Sequence, residues 1–145
     1  MAEIAKTGTP SLTSPPSHGG NWLPPYPVGE DIDAGDACAI GSDGKIYKSD
    51  GTASGTAKTT ARVDGWAPQS AMVGQGDVLS LCYNVSFSYS SAAAVGTLLY
   101  LSSTVKGGVT DTLPGTPKTA APVAVVLPAD NSETRKKIRV FQAPA

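Results

Sequence analysis

One short phrase recurs three times in this chain: a glycine followed by apolar residues three and five positions later. It appears as Gly35 with Cys38 and Ile40, Gly76 with Leu79 and Leu81, and Gly96 with Leu99 and Leu101. Residues two apart lie on the same face of a strand, so each phrase reads as a turn glycine launching a strand with one buried face. The longest alternating run follows the second glycine. Leu79, Leu81, Tyr83, Val85, Phe87 and Tyr89 interleave with Ser80, Cys82, Asn84, Ser86 and Ser88, giving one large apolar face and one small polar face. A strand of that length bends or crosses between sheets, and its second half, Val85, Phe87 and Tyr89, is placed at a subunit interface.

The remaining punctuation agrees with an all-β chain containing little helix. Ser42-Asp43-Gly44-Lys45 supplies an Asp-Gly turn that closes a hairpin between the strand ending at Ile40 and the one beginning at Lys45. Residues 51–60, rich in Gly, Ala, Ser, Thr and Lys, read as an exposed loop before Arg62 to Ala67 resumes the sheet. Ser90 to Val95, rich in Ala, is expected to form one helical turn. Pro114-Gly115-Thr116-Pro117 is a turn, and Val123 to Leu127 pairs with Lys137 to Phe141 as the closing hairpin.

Residues 1–27 are a different material. Pro10, Pro15, Pro16, Pro24, Pro25 and Pro27 lack the N–H that a central strand needs and favour extended backbone, so this segment cannot build a core alone. It reads as an extended arm, with residues 28–145 as a single β domain. Its spaced apolar groups, Ile4, Leu12, Trp22, Leu23 and Tyr26, read either as anchors for docking on another surface or as incidental residues of a flexible tail.

Leu, Ile, Val and Phe number only 28 of 145 residues, yet the net charge is −1, so the charged signature of disorder is absent and a thin core remains. A core this lean draws support from oligomerisation or from a partner surface. A pI near 5.7 and balanced charge argue against wholesale nucleic-acid or membrane binding. The first residues, Met-Ala-Glu-Ile-Ala-Lys, lack the apolar core of a secretion signal, which points to synthesis in the cytoplasm. Cys38 and Cys82 are expected to be free thiols.

No residue pattern points to catalysis, a cofactor or a metal. The one histidine, His18, lies in the proline-rich arm, where a nucleophile–base pair would have to be assembled from chain without a core. Gly74-Gln75-Gly76 lacks the third glycine and the helix of a dinucleotide loop. Glu30, Asp31, Asp33 and Asp36 form an acidic cluster, but a calcium loop would need a bidentate Glu where this chain has Ser42. Arg135, Lys136, Lys137 and Arg139 make a basic run on the last strand. It reads either as charge that blocks pairing at a sheet edge or as a patch for an acidic protein surface.

The order Ile32-Asp33-Ala34-Gly35-Asp36-Ala37, Ser42-Asp43-Gly44-Lys45-Ile46, Val63-Asp64-Gly65-Trp66-Ala67, Val95 to Ser102 and Val123 to Leu127 resembles the small β domain of tailed-bacteriophage capsid decoration (cement, or head-stabilisation) proteins, over residues 28 to 142. The resemblance implies a compact β-tulip or β-barrel-like domain with no enzymatic activity. It further implies a homotrimer on the outer capsid surface of the virion, with the major capsid protein as partner and the N-terminal arm reaching the shell. The rival reading is a receptor- or glycan-binding module of a phage fibre or tail, for which Trp66 and Tyr89 are the candidate aromatic platform.

Overall fold

In the computed structural model, residues 3–12, 21–50, 62–102, 104–112, 122–129 and 134–143 are described. The loop expected over residues 51–60, the turn at Pro114 to Pro117 and His18 lie outside them. The fold is all-β, as expected: among the described residues the one helical element is a 3-10 turn, Val73–Gln75.

Among the described residues there are twelve strands: β1 (Glu3–Ile4), β2 (Ser11–Leu12), β3 (Tyr26–Pro27), β4 (Ala37–Ile40), β5 (Ile46–Lys48), β6 (Gly65–Trp66), β7 (Val78–Leu79), β8 (Val85–Ser90), β9 (Leu98–Leu101), β10 (Val109–Thr110), β11 (Ala124–Leu127) and β12 (Lys136–Val140). Seven of them form one strongly curled antiparallel sheet in the order β1-β10-β9-β11-β12-β8-β2. The others form a pair, β3-β7, and a triplet, β5-β4-β6.

The Asp-Gly hairpin forms as read. Ile40 faces Ile46 across β4 and β5, Gly44 takes a left-handed φ of 79°, and the Asp43 carboxylate accepts the Lys45 N–H at 3.1 Å. The closing hairpin also forms, with Ala124 opposite Val140 and Leu127 opposite Lys137. Residues 90–95 are not helical. Ser90 ends β8, and the chain turns at Val95 and Gly96, where φ reaches 87°. The backbone there is used to enter β9, with the Gly96 N–H donating to Val126 O at 2.9 Å.

The long alternating run is split by Asn84, whose left-handed φ of 56° is a conformation that Asn tolerates better than most residues. Its N–H donates to Val140 O at 2.7 Å, which ties the kink to the end of β12. Before the kink, Leu79 and Leu81 pack with Val28, Ile32, Ile46 and Ala71 in a smaller core. After it, Val85, Phe87 and Tyr89 join Ile138, Val140, Leu99, Leu101 and Trp66 in the main core. The run therefore crosses from one core to the other. Trp66 is fully buried where the two meet, and its indole N–H donates to Phe141 O at 2.9 Å.

This placement corrects one expectation. Val85, Phe87 and Tyr89 are buried within the single chain, because the sheet curls their face inward, so they are not free to form a subunit interface. The small polar face is buried as well: Ser86, Ser88 and Ser90 are 8%, 3% and 1% exposed. The reason is that β8 is an inner strand. β12 lies on one side of it, with Arg139 opposite Ser86 and Lys137 opposite Ser88, and β2 lies on the other, so short side chains between longer neighbours have little surface to offer.

Ser88 Oγ is buried without a hydrogen-bond partner, whereas Phe87, one residue earlier, fills the main core. Phe87→Ala is expected to cost about 3–5 kcal/mol, and Ser88→Ala to be neutral within ~0.5 kcal/mol or slightly stabilising. Equilibrium denaturant unfolding of the two variants checks the ranking.

Candidate interaction site

Both edge strands of the seven-stranded sheet come from one ten-residue stretch. β1 pairs with β10, placing Ile4 opposite Val109, while β2 pairs with β8, placing Leu12 opposite Phe87. The sheet curls so far that residues 5–10 bridge its two edges. Residues 3–12 are called the clasp below.

Backbone and side chains both hold it down. The Thr7 N–H donates to Tyr89 O at 2.9 Å, and Arg135 donates to Thr9 O at 2.7 Å and Thr7 O at 3.2 Å. Glu3 accepts hydrogen bonds from the Ser102 and Thr104 hydroxyls. The central contact is ionic: Lys6 Nζ lies 2.5 Å from Asp36 Oδ1, with the Asp36 side chain 5% exposed. Asp36 Oδ2 accepts the Asp33 N–H at 2.9 Å and has Lys48 Nζ at 4.0 Å, so the buried carboxylate is satisfied from several sides.

Two glycines make room for this arrangement. At Gly35, with φ 83°, a Cβ would fall 2.8 Å from the Pro10 ring; at Gly107, with φ 75°, it would fall 3.0 Å from Asp36 Cβ. Beside the first half of the clasp a partly open pocket of about 350 Å³ is lined by Glu3 to Lys6 together with Asp36, Lys48, Tyr89 and Val109. The Tyr89 phenol lines this pocket, and burial, with help from the Asp36 and Glu3 carboxylates, holds its pKa well above the ordinary 10.0.

The five residues expected to dock on another surface are engaged at home, which corrects that expectation. Ile4 is buried in the main core, with Leu12 and Trp22 packed against it, and Leu23 and Tyr26 pack against the smaller core. Trp22 bridges to Cys82, and the Leu23 N–H donates to Leu81 O at 2.8 Å. The segment is extended, as its prolines dictate, but residue 27 is no domain boundary. Extended chain with free N–H groups pairs with the nearest unfilled edge, and the nearest edges belong to its own domain.

The basic run also changes meaning. β12 lies between β11 and β8 and is not an edge, so its charges do not serve to block edge pairing. Their alternation was legible in the sequence: Ile138 and Val140 point into the core, leaving Lys137 and Arg139 on the outer face. Registers place Arg139 opposite Val125, Lys137 opposite Leu127 and Val125 opposite Leu98, so cationic and apolar side chains share that face. Leu98 is 46% exposed. Nothing in the residue types alone singled out Leu98 or Val125, because strand order decides what lies beside the charges.

The acidic cluster does not converge. The Glu30 carboxylate accepts the Lys48 N–H at 2.9 Å, that of Asp31 accepts the Val73 N–H at 3.0 Å and that of Asp36 holds the clasp, so these three serve different parts of the fold, while Asp33 meets Asp36 through its backbone N–H. Among the described residues, no three His, Cys, Asp or Glu side chains are grouped to hold a metal ion. Trp66 and Tyr89 are 0% and 1% exposed, so neither is an aromatic platform. Both cysteines are free and buried. Burial pushes the Cys82 thiol from 9.0 up to about 12 and Cys38 well above 9.0, the Asp36 and Glu30 carboxylates adding to the latter.

No family model, curated protein or solved structure matches the chain.

Two outcomes follow from this geometry. Lys6→Ala is expected to lower stability by about 1–2 kcal/mol, less than a fully buried pair because the lysine is partly solvated, as read by denaturant unfolding. The thiols give a pH dependence. Above pH 9 an unfolded cysteine loses a proton that folded Cys82 keeps until about 12, so stability falls as pH rises through that window. Iodoacetamide at pH 9 is expected to leave the folded chain unlabelled and to label both cysteines after unfolding.

Proposed function

We propose that this chain is a structural, non-enzymatic virion protein that binds the outer surface of a tailed-phage capsid and stabilises it. It acts as a homotrimer with the major capsid protein as its partner. The ordered resemblance to capsid decoration proteins motivates the reading, and the compact all-β architecture is compatible with it.

The observation that carries the docking argument is the outer face of β9, β11 and β12. Exposed Arg139 and neighbouring Lys137 stand beside Val125, Leu127 and Leu98 on hydrogen-bonded strands. An apolar centre with cations beside it suits an acidic protein surface, where charge sets approach and orientation and apolar burial supplies affinity. With the arm's apolar residues committed to the chain's own cores, this face takes over the docking role. A protein that binds only the expanded shell stabilises that state by mass action, and three linked contacts multiply a modest affinity. The fibre or tail reading loses support because its candidate platform, Trp66 and Tyr89, is buried.

Co-sedimentation with expanded heads lacking this protein tests the proposal. The wild-type chain is expected to co-sediment, and Lys137→Glu combined with Arg139→Glu to weaken binding at least tenfold while unfolding like wild type. Antibody labelling of virions should decorate heads. Labelling confined to tails, or no binding to expanded heads, would overturn the reading.

A further inference from the structure

The clasp closes the sheet with little of what makes a strand permanent. Each of its ends contributes a strand of only two residues, and Glu3, Ala5, Thr7, Gly8, Thr9 and Ser11 are all exposed. Its apolar hold is confined to Ile4, Pro10 and partly buried Leu12, and its first half, Glu3 to Lys6, borders a partly open pocket of about 350 Å³. Local opening draws on segments of this kind: few apolar contacts, exposed hydrogen bonds and low contact density.

What lies beneath is specific. The β10 edge, the β8 edge and the Asp36 carboxylate form one continuous acceptor for extended chain with an apolar residue at the first edge, a cation two residues later and an apolar residue at the second edge. Ile4, Lys6 and Leu12 supply that pattern. Every copy of the chain carries both the acceptor and the matching segment. Residues 13–20 separate Leu12 from the next anchored strand positions, and their covalent reach is roughly 26–29 Å.

We infer that the clasp is exchangeable: the double-edged acceptor of one copy takes residues 3–12 of a second copy, in the same register and with the same Lys6–Asp36 pair. The exchange adds no contact the single chain lacks, so it costs little beyond association, and it links copies through their sheets. Because the donor segment and the acceptor are different surfaces, exchange gives a reciprocal pair, a ring where the rotation between copies closes, or an open chain where it does not. The inference concerns the chain alone and stands whether or not the capsid reading does.

Cross-linking of full-length chains tests it. Glu3 and Thr110 are Cα partners across β1 and β10, within reach of a disulfide, and the native cysteines are buried. One chain carrying both Glu3→Cys and Thr110→Cys reports the pairing within a molecule. An equimolar mixture of Glu3→Cys and Thr110→Cys chains reports exchange, read by non-reducing gels and peptide mapping of the 3–110 disulfide. We expect mixed dimers that increase with protein concentration and form several-fold faster when both chains also carry Lys6→Ala. Closure of the double variant with no 3–110 dimer in the mixture would overturn exchange, and failure of the double variant to close would overturn the acceptor itself. If either cysteine variant unfolds, Ser11→Cys with Ser88→Cys makes the same measurement at the other edge.

Discussion

Unpaired backbone groups along the two edges of one curled sheet are the constraint to which the rest of this molecule answers. An open edge invites any extended chain to pair with it, and the protein fills both edges with a single stretch of its own. For that stretch to cross from β10 to β8, Pro10 must sit against Gly35, and Lys6 must reach a carboxylate held in place by the Asp33 N–H. The sharp turn at Gly107 completes the cradle, close enough to Asp36 that a side chain there would crowd it. Glycines, an ion pair and two very short strands thus serve one geometric purpose.

The same economy governs the interior. With few large aliphatic residues available, the chain builds two adjoining cores and threads one alternating run through both. Asn84 supplies the turn of direction between them, and Trp66 fills the junction while its indole N–H is satisfied by Phe141 O. Serines on the back of β8 are covered by their cross-strand neighbours, which lets this one strand exclude water on both of its faces.

A surface follows from this interior. Because β12 is an inner strand, its outward Lys137 and Arg139 are held in line with Val125, Leu127 and Leu98 from the adjoining strands. Side chains held on paired strands lose less conformational freedom on contact than those of an unpaired segment would. The clasp has the opposite character, lightly packed and ionic, and so is suited to trading places between copies.

Much of the fold was legible in residue order, for local reasons. The Asp43-Gly44 hairpin, the turn glycines at 35, 76 and 96, and the pairing of residues 124–127 with 137–140 depend on φ preferences and on a two-residue period, both written in consecutive residues. The extended character of the first 27 residues was likewise implicit in their prolines. Partnership is another matter. That Ile4 meets Val109 and Leu12 meets Phe87, that Lys6 finds Asp36, that β12 is an inner strand and that Val85, Phe87 and Tyr89 face inward all depend on how far the sheet curls. Curl is a cumulative property of seven strands twisting against one another, and contacts between residues some thirty to a hundred positions apart have no signature in any short window of sequence. The alternation of residues told which side chains share a face; only the closed sheet decided which face would meet water.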